Sequence, residues 1–394
     1  MQSAIERPHT GNSMTTENAA RARWAVTTIF IAHGMLVGAW VPHIALAKER
    51  LDVGLATFGL ALLAFAAGAV VAMPLAGPLI SKFGSARVTL VTGILFCIAF
   101  LGPLSAPTLA SFVLAGLIMG AAIGSMDVAM NAHGIAVEKR LKLPTMSLFH
   151  GGFSLGGALG AFAGAGLLQA FGPLFQALIS SLASLVLMLA ASRYLLPDDV
   201  DKGAPGSHFA WPNSATLSLG LLCFLALMAE GSILDWAAIM LREKFFIDAS
   251  FAALAFGFYQ GGMTVARLSG DFLRLKFGAI RLVLASSLLT AAGTTAALLA
   301  PSPWLAILAF IFAGLGIGNI APVLFAGGGR LEPDQPGHGI AAVTTLGYSG
   351  FLAGPPLIGF AAGLTSLPMA LGLTVIAALI IAAFARTVDA ADTF

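Results

Sequence analysis

Charge is what this chain has least of: Asp, Glu, Lys and Arg make up 10% of its 394 residues, against about 25% in soluble domains. Cysteine is nearly absent too. Cys97 and Cys223, the only two, lie inside apolar runs, so no disulfide framework or thiolate metal site is read. The seven histidines show no metal-ligand spacing. No G-x-x-x-x-G-K-[ST] loop is present to cradle nucleotide phosphates. Basic patches interleaved with aromatics are missing, which excludes nucleic acid as a partner. Nothing alternates at period 2, as a transmembrane barrel would. The first 20 residues are polar, so no cleavable signal peptide is read. Neither a cofactor nor an enzymatic site is expected.

Hydrophobic residues fill the space instead, at 58% of the chain. A membrane-spanning helix needs about 20 apolar residues, and twelve such runs can be placed: 24–47, 55–81, 86–106, 108–136, 145–170, 172–197, 215–241, 250–275, 278–300, 303–328, 338–366 and 367–388. Short uncharged connections at 103–107, 171–173, 301–303 and 366–368 read as hairpin turns. With the N-terminus inside, 15 of the 20 Lys and Arg residues fall on cytoplasmic segments, so both termini are placed in the cytoplasm. The organisation expected is a cytoplasmic tail (1–23), a six-helix bundle (24–197), a polar cytoplasmic loop (198–214), a second bundle (215–388) and a short cytoplasmic tail (389–394).

One phrase is written twice. Lys82-Phe83-Gly84-Ser85-Ala86-Arg87 and Lys276-Phe277-Gly278-Ala279-Ile280-Arg281 lie 194 residues apart, each after a long apolar run containing Phe-Gly. A chain that repeats an apolar unit once at its midpoint predicts parallel repeats in a membrane, a pattern of transporters.

At these residues the chain resembles a major facilitator superfamily permease over nearly its whole length. That family's loop between helices 2 and 3 reads roughly G-x-x-x-D-[RK]-x-G-[RK]-[RK]; Gly77, Lys82, Gly84 and Arg87 match it, while Ser81 replaces the acid. The second copy runs from Gly270-Asp271 to Lys276-Phe277-Gly278 and is one residue longer. The resemblance implies an all-α membrane protein, with twelve transmembrane helices in two pseudo-symmetric bundles. It also implies gating roles for Lys82, Arg87, Arg267, Asp271 and Lys276. Met126-Asp127-Val128-Ala129-Met130-Asn131, the stretch 150–157, and Ala229-Glu230-Gly231-Ser232-Ile233-Leu234-Asp235-Trp236 are similar to bacterial inner-membrane permeases near the fucose–proton symporters. This implies a secondary transporter working by alternating access. The Gly-Pro signature and intramembrane Arg of drug–proton antiporters are missing from spans 5 and 4.

Ionisable residues inside spans are costly, about 2.5–3.5 kcal/mol each at a helix centre, and so mark mechanism. Glu230 lies in the middle of span 7, next to Gly231 where the backbone could open. A carboxyl group in apolar surroundings favours its neutral form, so Glu230 reads either as the proton-coupling group or as a permanently paired carboxylate. Asp127 and Asn131 share a face of span 4, and His150 starts span 5; the three read as a proton relay or a static plug. Arg267 and Asp271, four apart near the end of span 8, predict an intrahelical ion pair.

Gly152, Gly156, Gly160 and Gly164 recur every fourth residue along span 5, and span 11 carries Gly354 among others. Such stripes allow close helix packing and suit either rocking of one half against the other or static packing. Trp40 and Trp236 occupy similar places in the two repeats, read as solute stacking or as an interfacial belt. Asn131, Tyr259, Gln260, Asn319 and Tyr348 offer hydrogen bonds. Spans 1, 4, 7 and 10 offer no central Arg for an anion. The expected activity is proton-coupled movement of a small neutral or cationic organic solute, sugar-like favoured, by a monomer in the bacterial inner membrane. A proton-driven exporter, or a non-transporting sensor or scaffold, is the alternative.

Overall fold

The computed structural model describes residues 16–197, 210–332 and 335–392; the tail at 1–15 and most of the inter-bundle loop, 198–209, lie outside the described residues. What is described is helical almost throughout. In order come α1 (Thr16–Leu51), α2 (Leu55–Phe83), α3 (Ser85–Ala99), α4 (Leu101–Ser105), α5 (Leu109–Leu141), α6 (Met146–Ser192), α7 (Leu217–Phe245), α8 (Ala249–Phe277), α9 (Ala279–Leu299), α10 (Pro303–Ile317), α11 (Ile320–Leu331), α12 (Pro336–Leu364) and α13 (Leu367–Ala383), then a 3₁₀ segment (Ala385–Asp392).

Eight of these, counting α3 with α4 and α10 with α11 as single spans, are long and apolar enough to cross a membrane. Helix is what such sequence must form in lipid, where every backbone polar group needs an internal partner. One of the eight, α6, holds two passes. Its 47 residues would stretch about 70 Å, more than twice a bilayer's hydrocarbon core. The chain turns at Gly172 (φ 78°), just before Pro173, at the connection read from sequence. Helices α8, α12 and α13 complete twelve passes; α13 is short and bends by 55° into the 3₁₀ segment. Helix starts carry the expected signals. Thr108, Ser302 and Ser366 accept backbone N–H bonds at the N-caps of α5, α10 and α13.

The two halves match in packing as well as in sequence, at the same 194-residue offset. A Cβ built on Gly120 of α5 would lie 1.8 Å from the Phe65 carbonyl oxygen, and one on Gly314 of α10 equally close to that of Tyr259. Gly68 faces the Leu117 oxygen at 2.1 Å, and its counterpart Gly262 faces that of Ile311 at 2.1 Å. The tight turns after α2 and α8 are made by Gly84 (φ 87°) and Gly278 (φ 80°), where a side chain would be strained. Inside the first bundle α1 packs on α6 and α2 on α5; inside the second, α7 on α12 and α8 on α10. Across the divide the contacts are again paired, α6 with α8 and α2 with α12, with α1 touching both α7 and α8. We call the end bearing Gly84 and Gly278 the basic end.

The glycine stripe of span 5 is not at that divide. Gly152, Gly156, Gly160 and Gly164 back onto Thr27, Ile31, Met35 and Ala39 of α1, inside one bundle. Gly354 likewise meets Ser232 and Met228 of α7. Glycines that do face the other bundle include Gly151 (Leu268), Gly157 (Gln260), Gly257 (Phe162), Gly59 (Pro355) and Gly359 (Leu55). Periodicity of four finds a smooth face but not the neighbour it meets.

Candidate functional site

Five helices bring Glu230, Arg267, Ser154, Asp127 and Tyr348 to where the bundles meet. Arg267, on α8, reaches back to Glu230 on α7, Nη2 to Oε1 at 3.4 Å. Its other arm crosses the divide: Nη1 donates to Ser154 Oγ of α6 at 2.6 Å and, at 3.5 Å, to the His150 carbonyl oxygen. The Arg267 and Glu230 side chains are 10% and 13% exposed, so they are neither sealed nor solvated. This overturns the pairing of Arg267 with Asp271. An i,i+4 spacing permits that pair, but Asp271 is exposed near the basic end, whereas Glu230 lacks a closer cation. It also changes the setting of Glu230, whose own helix carries no base nearby. Its cation comes from the neighbouring helix.

A second bridge crosses the divide from the other side. Tyr348 of α12 donates from Oη to Asp127 Oδ2 of α5 at 3.0 Å, and Asn131 Nδ2 donates to Asp127 Oδ1 at 3.2 Å and to the Asp127 carbonyl at 2.8 Å. Asp127 therefore holds neutral donors, and among the described residues no cation pairs with it. His150 does not join the Asp127–Asn131 pair. Its ring stands edge-on to Phe30, with centroids 5.5 Å apart, and only its backbone oxygen meets the Arg267 bridge. The relay read from sequence is replaced by an Asp–Tyr bond between bundles. Ser154 was not singled out by sequence reasoning. The available signal was positional: Ser154 and Tyr348 are equivalent residues, 194 apart, and each anchors one bridge.

Other buried polar groups have no hydrogen-bond partner among the described residues. Tyr259 Oη and Gln260 Oε1 on α8 have none, nor do Trp236 Nε1 on α7 and both ring nitrogens of His33 on α1. Tyr259 lies within electrostatic reach of Glu230 and Arg267, and Gln260 meets Gly157 across the divide. Buried polar groups are normally satisfied, so these atoms stand out from the rest of the interior. Asn319 sits at the α10–α11 break with its Oδ1 against Gly270 of α8, a packing position within its own bundle.

The two tryptophans do not face one another across a shared space. Trp40 packs among His43, Phe65 and Phe100 of its own bundle. Trp236 instead crosses the divide to stand edge-on to Phe58 of α2, with centroids 6.2 Å apart. Gly231 does not open α7, which runs unbroken; it accommodates the Phe351 ring. At the basic end Lys82 lies over the Phe83 ring and Lys276 over those of Phe272 and Phe277. Arg87 lines a cleft of about 310 Å³ between the start of α3 and the end of α6.

Comparison with known proteins fits this architecture. The sequence profile of the Major Facilitator Superfamily matches residues 24–229. An MFS-type transporter of Yersinia pestis is 36% identical over 362 residues, covering 91% of this chain and 94% of its own. Membrane protein MosC of Rhizobium meliloti is 31% identical over 364 residues, 91% of this chain and 88% of that protein. Among solved structures, the nucleoside transporter NupG superposes with a TM-score of 0.71 at 15% identity, over 93% of this chain and 98% of its own. A bacterial homologue of the human lysosomal transporter Spinster, in an inward-facing and occupied conformation, does so with 0.69 at 16% identity, over 94% and 96%. Two six-helix repeats, a polar cluster where they meet, and relatives of nearly full length place this chain in the major facilitator superfamily, as a multi-pass membrane transporter and not an enzyme.

Proposed function

We propose that this transporter moves a small organic solute across the bacterial inner membrane by alternating access, coupled to protons, with its basic end in the cytoplasm. The observation that carries the reading is Arg267, shared between Glu230 of its own bundle and Ser154 of the other. A proton on Glu230 cancels the charge that holds one arm of the guanidinium, so proton binding and the strength of a cross-bundle link become one event. Coupling of that kind needs an ionisable group whose charge state alters the relative energy of two conformations.

The solute we propose is neutral or cationic, with sugar-like molecules favoured. The Arg267 charge is already balanced by Glu230, and Asp127 adds negative charge with only neutral donors around it, so an anion meets no spare cation. Tyr259, Gln260, Asn131 and Tyr348 supply the donors and acceptors that a hydroxyl-rich molecule needs.

In reconstituted vesicles, Glu230→Gln mimics the protonated acid. It is expected to retain solute exchange and to lose accumulation driven by a pH gradient. Unchanged accumulation would remove Glu230 from coupling. A specific observation favours a second location: Asp127 accepts a hydrogen bond from Tyr348 of the other bundle, so its charge state also bears on a link across the divide. Asp127→Asn tests that. Loss of accumulation in this variant alone would move coupling to α5.

A further inference from the structure

At the end opposite the basic turns the chain repeats a second phrase. Lys48-Glu49-Arg50-Leu51 closes α1 and Arg242-Glu243-Lys244-Phe245 closes α7, again 194 residues apart. Each reads base, acid, base, apolar residue. The residue that follows, Asp52 or Phe246, takes the left-handed conformation in both copies (φ 49° and 56°), ending each helix the same way.

Every charge in the phrase has the same job in both copies. The first base pairs with the acid of the other copy: Lys48 Nζ lies 3.0 Å from Glu243 Oε1, and Arg242 pairs with Glu49. The third residue turns inward to its own bundle. Arg50 donates to the Pro103 carbonyl at 2.8 Å, and Lys244 to the Leu298 and Ala300 carbonyls at 2.7 and 2.8 Å. The outer bases thus fix each helix end to its own hairpin, and the four inner charges join the two bundles reciprocally.

We propose that Lys48, Glu49, Arg242 and Glu243 form a symmetric latch that holds this end of the transporter shut. The latch must break whenever the bundles part here, and it re-forms when they close. Glu49 is 56% and Glu243 43% exposed, so either pair alone contributes little in water and salt. A contribution of that size suits a latch: together the four charges bias the equilibrium without locking it. Chemically the device is independent of the solute. It rests on the alternating-access reading, but its test uses neither solute nor protons, so failure here leaves the Glu230 experiment intact.

Spin labels on Asp52→Cys and Phe246→Cys, both exposed, report the separation of the two helix ends by double electron–electron resonance in lipid nanodiscs. Cys97 and Cys223 are buried and stay unlabelled. Adding Glu49→Gln and Glu243→Gln is expected to raise the ratio of long-distance to short-distance populations by about threefold to tenfold, and 1 M salt should move the unmodified latch the same way. Lys48→Glu alone should open this end, and Lys48→Glu with Glu243→Lys should return the distribution towards the original. Distances unchanged by the Gln pair, or a reversed pair no better than its single member, would overturn the latch.

Discussion

Arg267 carries a full charge at 10% side-chain exposure, and its partners decide what its loss would do. Removing one member of a buried pair leaves the other uncompensated, at a cost of about 3–5 kcal/mol when burial is complete; with Glu230 still 13% exposed, the lower end applies. Arg267→Ala should therefore lower the melting temperature in detergent, and Arg267→Ala with Glu230→Gln should recover most of the loss. If the double variant is no more stable than the single one, the pair is not what holds Arg267. Arg267→Lys is a finer probe. An ammonium lacks the fork that reaches Glu230 and Ser154 together, so this variant should fold normally and transport at least roughly tenfold more slowly, the loss expected for about 1.4 kcal/mol in the transport barrier.

On the scale of whole helices, glycine placement separates what must pack from what must move. A Cβ on Gly156 would lie 2.1 Å from the Ile31 oxygen of α1, and backbone cannot give way as a side chain can. Gly156→Leu is accordingly expected to reduce folded yield, with overpacking costs of about 1–3 kcal/mol or more. Gly166, with nothing within 4 Å, should accept alanine without effect. Gly157 is the informative contrast. Its neighbour is the flexible Gln260 side chain on the other bundle, at 3.1–3.2 Å, so Gly157→Ala should fold and alter transport. Fluorescence-detected gel filtration and vesicle uptake distinguish the three; normal folding of Gly156→Leu would contradict the α1–α6 contact.

For the molecule as a whole, the prediction concerns which end faces the cytoplasm. The Lys/Arg asymmetry predicts that it is the basic end. An impermeant maleimide added to intact cells should label Asp52→Cys at the opposite end. It should reach Ser214→Cys, which is exposed just before α7, only after permeabilisation. The reverse pattern would invert the topology and, with it, the side on which the proposed latch sits.

Spans, hairpin turns and the repeat were legible because lipid leaves the chain little choice: an apolar run of about 20 residues becomes a helix whatever its neighbours. Gly172-Pro173 marks the turn inside α6, and the 194-residue repeat fixes which helices correspond. Even the second repeated phrase, at 48–51 and 242–245, was present to be read, but only as a likeness. Partners were not legible. Glu230 meets Arg267 from 37 residues away, Tyr348 meets Asp127 from 221, and Gly156 faces α1 instead of the other bundle. These are decided by how helices rotate and lean against one another. Small residues and side-chain shape on several helices at once settle that packing, and no single span's periodicity encodes it.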